Sequence, residues 1–151
     1  MKESKAWLLD FGGETVAAVG ERELLHLVPQ PQLLAVPLAP PHCSSVLDWQ
    51  KHLLPVWDVG AWLGQRSEGT TAMFAAIVGY QHRPRQTPTF GVVALANPPR
   101  RVIVKDSHAC ALPDGRPWQP IARSCFKHGQ QAVPILDLVA MFASRHNTAG
   151  D

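Results

Sequence analysis

The sequence predicts a mainly β protein built as two small barrels, and three observations carry that prediction. Fourteen prolines and eleven glycines cut the 151-residue chain into short segments, a punctuation that helix bundles do not tolerate. Between these breaks lie several short apolar runs, the pattern of small β-barrels. One phrase is also written twice: "HLLPVWDVGAWLG" at His52–Gly64 and "QQAVPILDLVAMFA" at Gln130–Ala143. Aligned on their prolines, Pro55 matches Pro134, Val56 matches Ile135, Asp58 matches Asp137 and Val59 matches Leu138. The repeat is architectural, with each half of the chain ending in the same strand-into-helix closure.

The elements follow in order. "AWLLDF" and "TVAAV" flank Gly12-Gly13 and read as a hairpin. "LLHLV" and "LLAVPL" come next, separated by "PQPQ", and Gln50-Lys51 joins "SVLDW" to "HLLPVWD". Beyond the polar linker "GQRSEGTT" lie "AMFAAIVGY", "TFGVVALA", "RVIVK" and "QAVPILD". Helix is expected near Pro40–Cys43, after Asp58, after Asp137 and around Pro120–Arg123.

The repeated phrase has a local explanation. Asp58 and Asp137 stand where an N-cap belongs, able to accept from the free backbone N–H groups of the following turn and facing its positive end. Gly64 reads as the C′ residue that closes the first short helix. Pro55 and Pro134 lack a ladder donor and are expected on edge strands or at bulges. Two carboxylates in matching contexts also suggest an acid–base pair. Capping accounts for their surroundings, whereas glycosidase-type chemistry leaves those surroundings unexplained.

Composition narrows the functional classes. With 46% hydrophobic and 17% charged residues the chain is globular. A formal net charge of +2 gives no sign of a nucleic-acid binder, and the one basic cluster, Arg83, Arg85, Arg100 and Arg101, reads as a solvated loop face. Met1–Lys5 is charged and the apolar segment after it stops at Asp10, so no targeting signal is read there. Apolar runs such as Ala72–Val78 fall far short of a membrane span. The three cysteines read as free thiols in a reducing compartment, and the expected location is cytoplasmic.

Those cysteines admit two rival functions. Each has a histidine nearby, in His42-Cys43, His108-x-Cys110 and Cys125-x-x-His128. Such residues ligate zinc, but the spacings match no zinc finger. A Cys–His hydrolase needs a nucleophile, a base and an oxyanion donor in register, and no motif supplies them. The chain is therefore expected to have no catalytic residues, no metal site and no cofactor.

The order strand, Gly-Gly turn, strand, then "VPLAPPHCSSVLDWQKHLLPVWDVGAWLG", resembles the first half of a CheW-like domain, the chemotaxis coupling-protein family. "AVPILDLVAMF" resembles that family's second closure, of the form V/I-P-V/I-x-D-L. The likeness runs roughly from Ala6 to Phe142. It implies two intertwined five-stranded SH3-like barrels sharing a core, in a single domain over 6–143. The barrels are expected at about 15–64 and 92–137 with terminal strands crossing between them, and 1–5 and 144–151 as flexible tails. It further implies a non-enzymatic adaptor, binding the regulatory domain of a chemotaxis-type histidine kinase and the cytoplasmic tip of a chemoreceptor.

This chain departs from the family at one turn. Where an N-x-R-G turn is usual it reads Asp48-Trp49-Gln50-Lys51, with Ser45 in place of the preceding glycine. His26 stands where an acidic residue commonly faces the turn arginine. Losing both halves of an ion pair leaves no buried charge unpaired. A divergent adaptor with an altered partner surface is implied, of the kind that serves pilus-driven twitching motility. The candidate contact residues are His26, Leu34, Val36, Trp49, Gln50 and Lys51, with Trp49 expected to be an exposed hot spot. At least half of the other aromatics, Trp7, Phe11, Trp57 and Trp62 among them, are expected in the core.

Overall fold

The computed structural model describes residues 3–64, 72–113 and 118–147. In the first half β1 (Glu3–Asp10), β2 (Val16–Gly20), β3 (Leu24–Pro29), β4 (Leu34–Ala35), β5 (Ser45–Trp49) and β6 (His52–Trp57) lead into helix α1 (Val59–Trp62). In the second, β7 (Phe74–Tyr80), β8 (Thr89–Leu95), β9 (Asn97–Lys105), β10 (Ala122–His128) and β11 (Gln131–Leu136) lead into α2 (Leu138–Asn147). Single 3₁₀ turns lie at Pro41–Cys43 and Asp106–His108. The segment around Pro120 is a turn running into β10, where a helix was expected. The linker residues 65–71 lie outside the described residues.

The strands form a five-stranded sheet in the order β10-β11-β2-β1-β9 and a six-stranded sheet in the order β3-β7-β8-β6-β5-β4. The fold is thus mainly β and doubled, although among the described residues strand pairing does not close either sheet into a complete barrel. The extra strand is the two-residue β4, which pairs Leu34 with Val46 and Ala35 with Ser45.

Each half of the chain lends its leading hairpin to the other. β7 and β8 join the sheet of the first half, β7 antiparallel to β3 and β8 parallel to β6. β1 and β2 join the sheet of the second half in the same way, against β9 and β11. The division near 15–64 and 92–137 therefore shifts: Leu24–Leu95 supplies one sheet, while Glu3–Gly20 and Asn97–Leu136 supply the other. Glu3, Ser4 and Lys5 pair with Lys105, Val104 and Ile103, so these three are strand and not tail. At the other end α2 runs to Asn147, past the expected limit at 143, while 148–151 lie outside the described residues.

The exchanged hairpins form the central wall, buried on both faces. Within β7, Ala76 and Val78 face a core shared with Leu9, Val19, Trp57 and Val93, while Ala75 and Ile77 face a separate cluster with Leu47 and Leu54. Within β2, Ala17 and Val19 face the shared core, and Val16 and Ala18 face Phe126 and Val133. A strand covered on both faces reads as a continuous apolar run and not as an alternation. Helix α2 lays Leu138, Met141 and Phe142 on the shared core, one face at helical spacing. Of the aromatics expected inside, Trp57 is fully buried, whereas Trp7, Phe11 and Trp62 only edge that core.

The closure strands are interior, contrary to the expectation drawn from Pro55 and Pro134. β6 lies between β5 and β8, and β11 between β10 and β2. Alternation from each two-residue turn places Pro55, opposite Val46, and Pro134, opposite Cys125, at non-hydrogen-bonded sites. Their missing donors therefore point to the other side. There the parallel pairing involves the next residue, Val56 with Val92 and Ile135 with Ala18. The prolines mark where the parallel contacts begin.

Candidate protein-interaction surface

The two aspartates perform the same local task. Asp58 Oδ1 accepts from the Ala61 N–H at 3.0 Å, and Asp137 Oδ1 accepts from the Ala140 N–H at 3.1 Å. Their own N–H groups donate to His42 O and Ile121 O, both at 2.8 Å. Each is therefore fixed at the mouth of its helix. Gly64, with φ of 73°, closes α1 through an N–H bond to Ala61 O.

The sequence candidates fall into two groups on opposite faces of the β5–β6 hairpin, with Gln50 and Lys51 at its turn. Leu34 is opposite Val46, which is opposite Pro55, so all three share the outer face of the six-stranded sheet. Leu53, two residues before Pro55, continues that stripe at 64% exposure, and Leu34 is 51% exposed. Val36 lies just beyond β4, held by its N–H to Ser44 O, and Leu38 beyond it stands fully in solvent. This is a mostly apolar band, with the exposed Asp48 opposite Leu53, facing outward on strands whose inner residues, Leu47 and Leu54, are buried. Sequence reasoning missed Leu53, although Leu53-Leu54 side by side in a strand requires one of the two to face out.

The second group is aromatic. Trp49 is half-buried, its ring centroid 6.2 Å from that of His26 and 6.2 Å from that of Phe90. The exposed hot spot expected at Trp49 is therefore a ring partly covered by neighbours and packed on the cluster of Leu47 and Ile77. Among the described residues His26 meets this ring and makes no side-chain hydrogen bond to Gln50. Gln50 and Lys51 are exposed and form the tight turn, with φ of 49° and 66°. Two left-handed residues in a two-residue hairpin are usually Asn-Gly, and each non-glycine residue held there costs about 1–2 kcal/mol. This chain keeps two long polar side chains at a position where local stability favours smaller ones.

Two of the three cysteine–histidine pairs, His108 with Cys110 and Cys125 with His128, come to one rim of the five-stranded sheet, and His42-Cys43 lies apart from them. Among the described residues no group of three or more His, Cys, Asp or Glu is placed to hold a metal ion. His42 is buried between Trp57 and Trp62, ring centroids 4.6 Å and 4.7 Å away. Among the described residues, its Nε2 and the nearby Trp57 Nε1 are both buried without a hydrogen-bond partner. Burial lowers the His42 pKa below its ordinary 6.5. Cys110 and Cys125 do meet, thiol to thiol at 3.3 Å, which no spacing in the sequence announced.

Two sheets with exchanged hairpins and two capped closures define a doubled, mainly β fold that leaves a stripe of apolar side chains facing outward. The chain belongs to the CheW-like domain family, whose model matches residues 7–146. Among solved structures it is similar to the scaffolding protein TtCheW from Thermoanaerobacter tengcongensis. That likeness has a TM-score of 0.72 and 11% sequence identity, and covers 90% of each chain. No curated protein sequence matches the chain. Among the described residues no helix is long and apolar enough to cross a membrane.

Proposed function

We propose that this chain is a non-catalytic adaptor of a bacterial chemotaxis-type pathway, joining a receptor's cytoplasmic tip to the regulatory domain of a histidine kinase. The observation that carries the reading is the family match over 7–146, which takes in both closures and the altered turn. A doubled barrel module suits the role, because a kinase domain of the same family presents complementary ends from which rings of alternating subunits close. The surfaces offered are the outward band of Leu34, Val36 and Leu53 and, on the other face of the same hairpin, the cluster of His26 and Trp49 beside the turn residues Gln50 and Lys51. Apolar centres with aromatic anchors supply affinity, and the polar residues at their rim select the partner.

Cytoplasmic location and service to a pilus-type, twitching-motility system belong to the same proposal. His26 and Gln50 stand where a typical member has an acid and an arginine, so a charge-assisted bond and a rigid planar donor are gone. The surface is left more aromatic and more basic, and it prefers a partner other than that of a typical coupling protein. The test is a pull-down of the host's chemotaxis-type kinases and receptors by the natural chain and by the double variant His26→Glu with Gln50→Arg. A changed partner preference in a normally folded variant supports the proposal. Equal capture of every partner by both proteins contradicts it.

A further inference from the structure

The adaptor role makes no use of the thiol pair at the rim of the five-stranded sheet. Cys110 Sγ donates to Cys125 Sγ at 3.3 Å. The two residues are directly opposed, since Ala109 bridges antiparallel to Phe126 and the Cys110 N–H donates to Cys125 O at 3.0 Å. Opposed residues in such a hydrogen-bonded pair have Cα atoms about 5.5 Å apart, inside the range of about 4.4–6.8 Å that a disulfide spans. Rotation of the two side chains is then enough to bring the sulfurs to bonding distance.

The position of the pair gives the bond a purpose. β10 and β9 are the two ends of the sheet order, and among the described residues no strand pairing joins them. Cys110 lies just past the 3₁₀ turn Asp106–His108 that follows β9, and Cys125 lies in β10. The pair therefore sits across the open seam, where two backbone contacts already draw the ends together.

The two thiols also differ in the way an oxidisable pair requires. Cys110 lines an open cavity of about 500 Å³ together with His108, Lys127 and His128. A solvent-reached thiol among basic side chains is the kind that oxidants attack. Cys125 is 4% exposed. Burial above all pushes its pKa up to about 12, so the accessible Cys110 is the one oxidised first.

We propose that Cys110 and Cys125 form a reversible disulfide under hydroperoxide, stapling the seam of the five-stranded sheet. Cys110 gives up its proton and the thiolate attacks an oxygen of hydrogen peroxide; the O–O bond breaks, and the departing hydroxide takes up that proton, giving a sulfenic acid and water. Cys125 sulfur then attacks Cys110 sulfur. The S–O bond breaks, the departing hydroxide takes the Cys125 proton, and a second water is released. Two thiols are oxidised by two electrons as one peroxide is reduced to two waters, and a dithiol reverses the change by exchange.

The experiment uses the full chain treated with hydrogen peroxide, then denatured, alkylated and weighed by mass spectrometry. The reduced chain has three cysteines to alkylate. After oxidation only Cys43 should take the label, with a peptide linking Cys110 to Cys125, and dithiothreitol should restore all three sites. The oxidised protein should melt higher by roughly 5–10 °C, as expected for closing a loop of this length in a chain of this size. Cys110→Ser or Cys125→Ser should abolish both effects, and Cys43→Ser should keep them. Oxygen added to Cys110 without a link, a link that includes Cys43, a bond formed only in the unfolded chain, or an unchanged melting temperature would each overturn the proposal.

Discussion

Asp58 and Asp137 show how much one atom decides. Each carboxylate meets an N–H group that would otherwise lack an intrahelical partner at the start of its helix. Replacing either aspartate with alanine should cost about 1 kcal/mol, and the two losses should add, because the caps serve separate helices. Urea titration of the single and double variants measures this. His42 makes a second residue-level prediction. Its pKa is lowered in the folded chain by burial, so the folded state holds the ring neutral. Below its ordinary value the unfolded chain takes up a proton that the folded chain refuses until lower pH. This contribution to stability is whole above about pH 6.5 and is lost as pH falls from there through the folded value. His42→Phe should flatten that part of the curve relative to the natural protein, which melting temperatures from pH 7 down to pH 5 would reveal.

At the scale of elements, the closures lock the two halves together. Gly91 in β8 lies under the ring of Phe142 on α2, and a Cβ there would overlap the ring carbons. Phe142 also stacks on Tyr80 of β7, with 9° between the rings and centroids 5.4 Å apart. The closing helix of the second half is thus keyed into the hairpin that the second half lends to the first. Gly91→Ala should destabilise by about 1–3 kcal/mol through overpacking. Combining it with Phe142→Leu should cost less than the sum of the two single changes, a coupling that a double-mutant cycle reads directly. Strand positions, the caps and the doubled closure were legible in the sequence because each rests on local signals: turn residues, an aspartate before a helical run, a repeated phrase. The pairing of the hairpins was not. "VAAV" and "FAAIV" are apolar throughout because both faces are buried, and such a run carries no alternation to show which sheet it joins. The interior placement of Pro55 and Pro134 was hidden for a related reason. A ladder site facing away from the proline ring nitrogen becomes visible only once register is known.

At the scale of the whole molecule, exchange makes each half incomplete. Residues 1–64 hold β3 to β6 without the hairpin that covers them, and they hold β1 and β2 without β9 to β11. That fragment should show no cooperative unfolding alone, and neither should 72–151. Mixed in equal amounts they should regain the far-ultraviolet spectrum and a single melting transition. Two fragments that fold separately would show that the exchange is not obligatory. Of the candidate surface, the sequence exposed the altered turn and the residues of β4 but not Leu53 or Phe90. Which apolar side chain of a strand faces out depends on pairing across the sheet, and composition alone does not contain it.

The adaptor role is tested most directly by calorimetric titration of the full chain with two purified partners, the host kinase's regulatory domain and the receptor tip. The natural chain should bind at least one of them saturably. Leu53→Lys, which places a cation in the outward band opposite Asp48 without touching the buried cluster beneath, should weaken that binding at least tenfold, about 1.4 kcal/mol, with the melting temperature little changed. A folded natural chain that binds neither partner, or a Leu53→Lys variant that binds as well as the natural chain, would contradict the account.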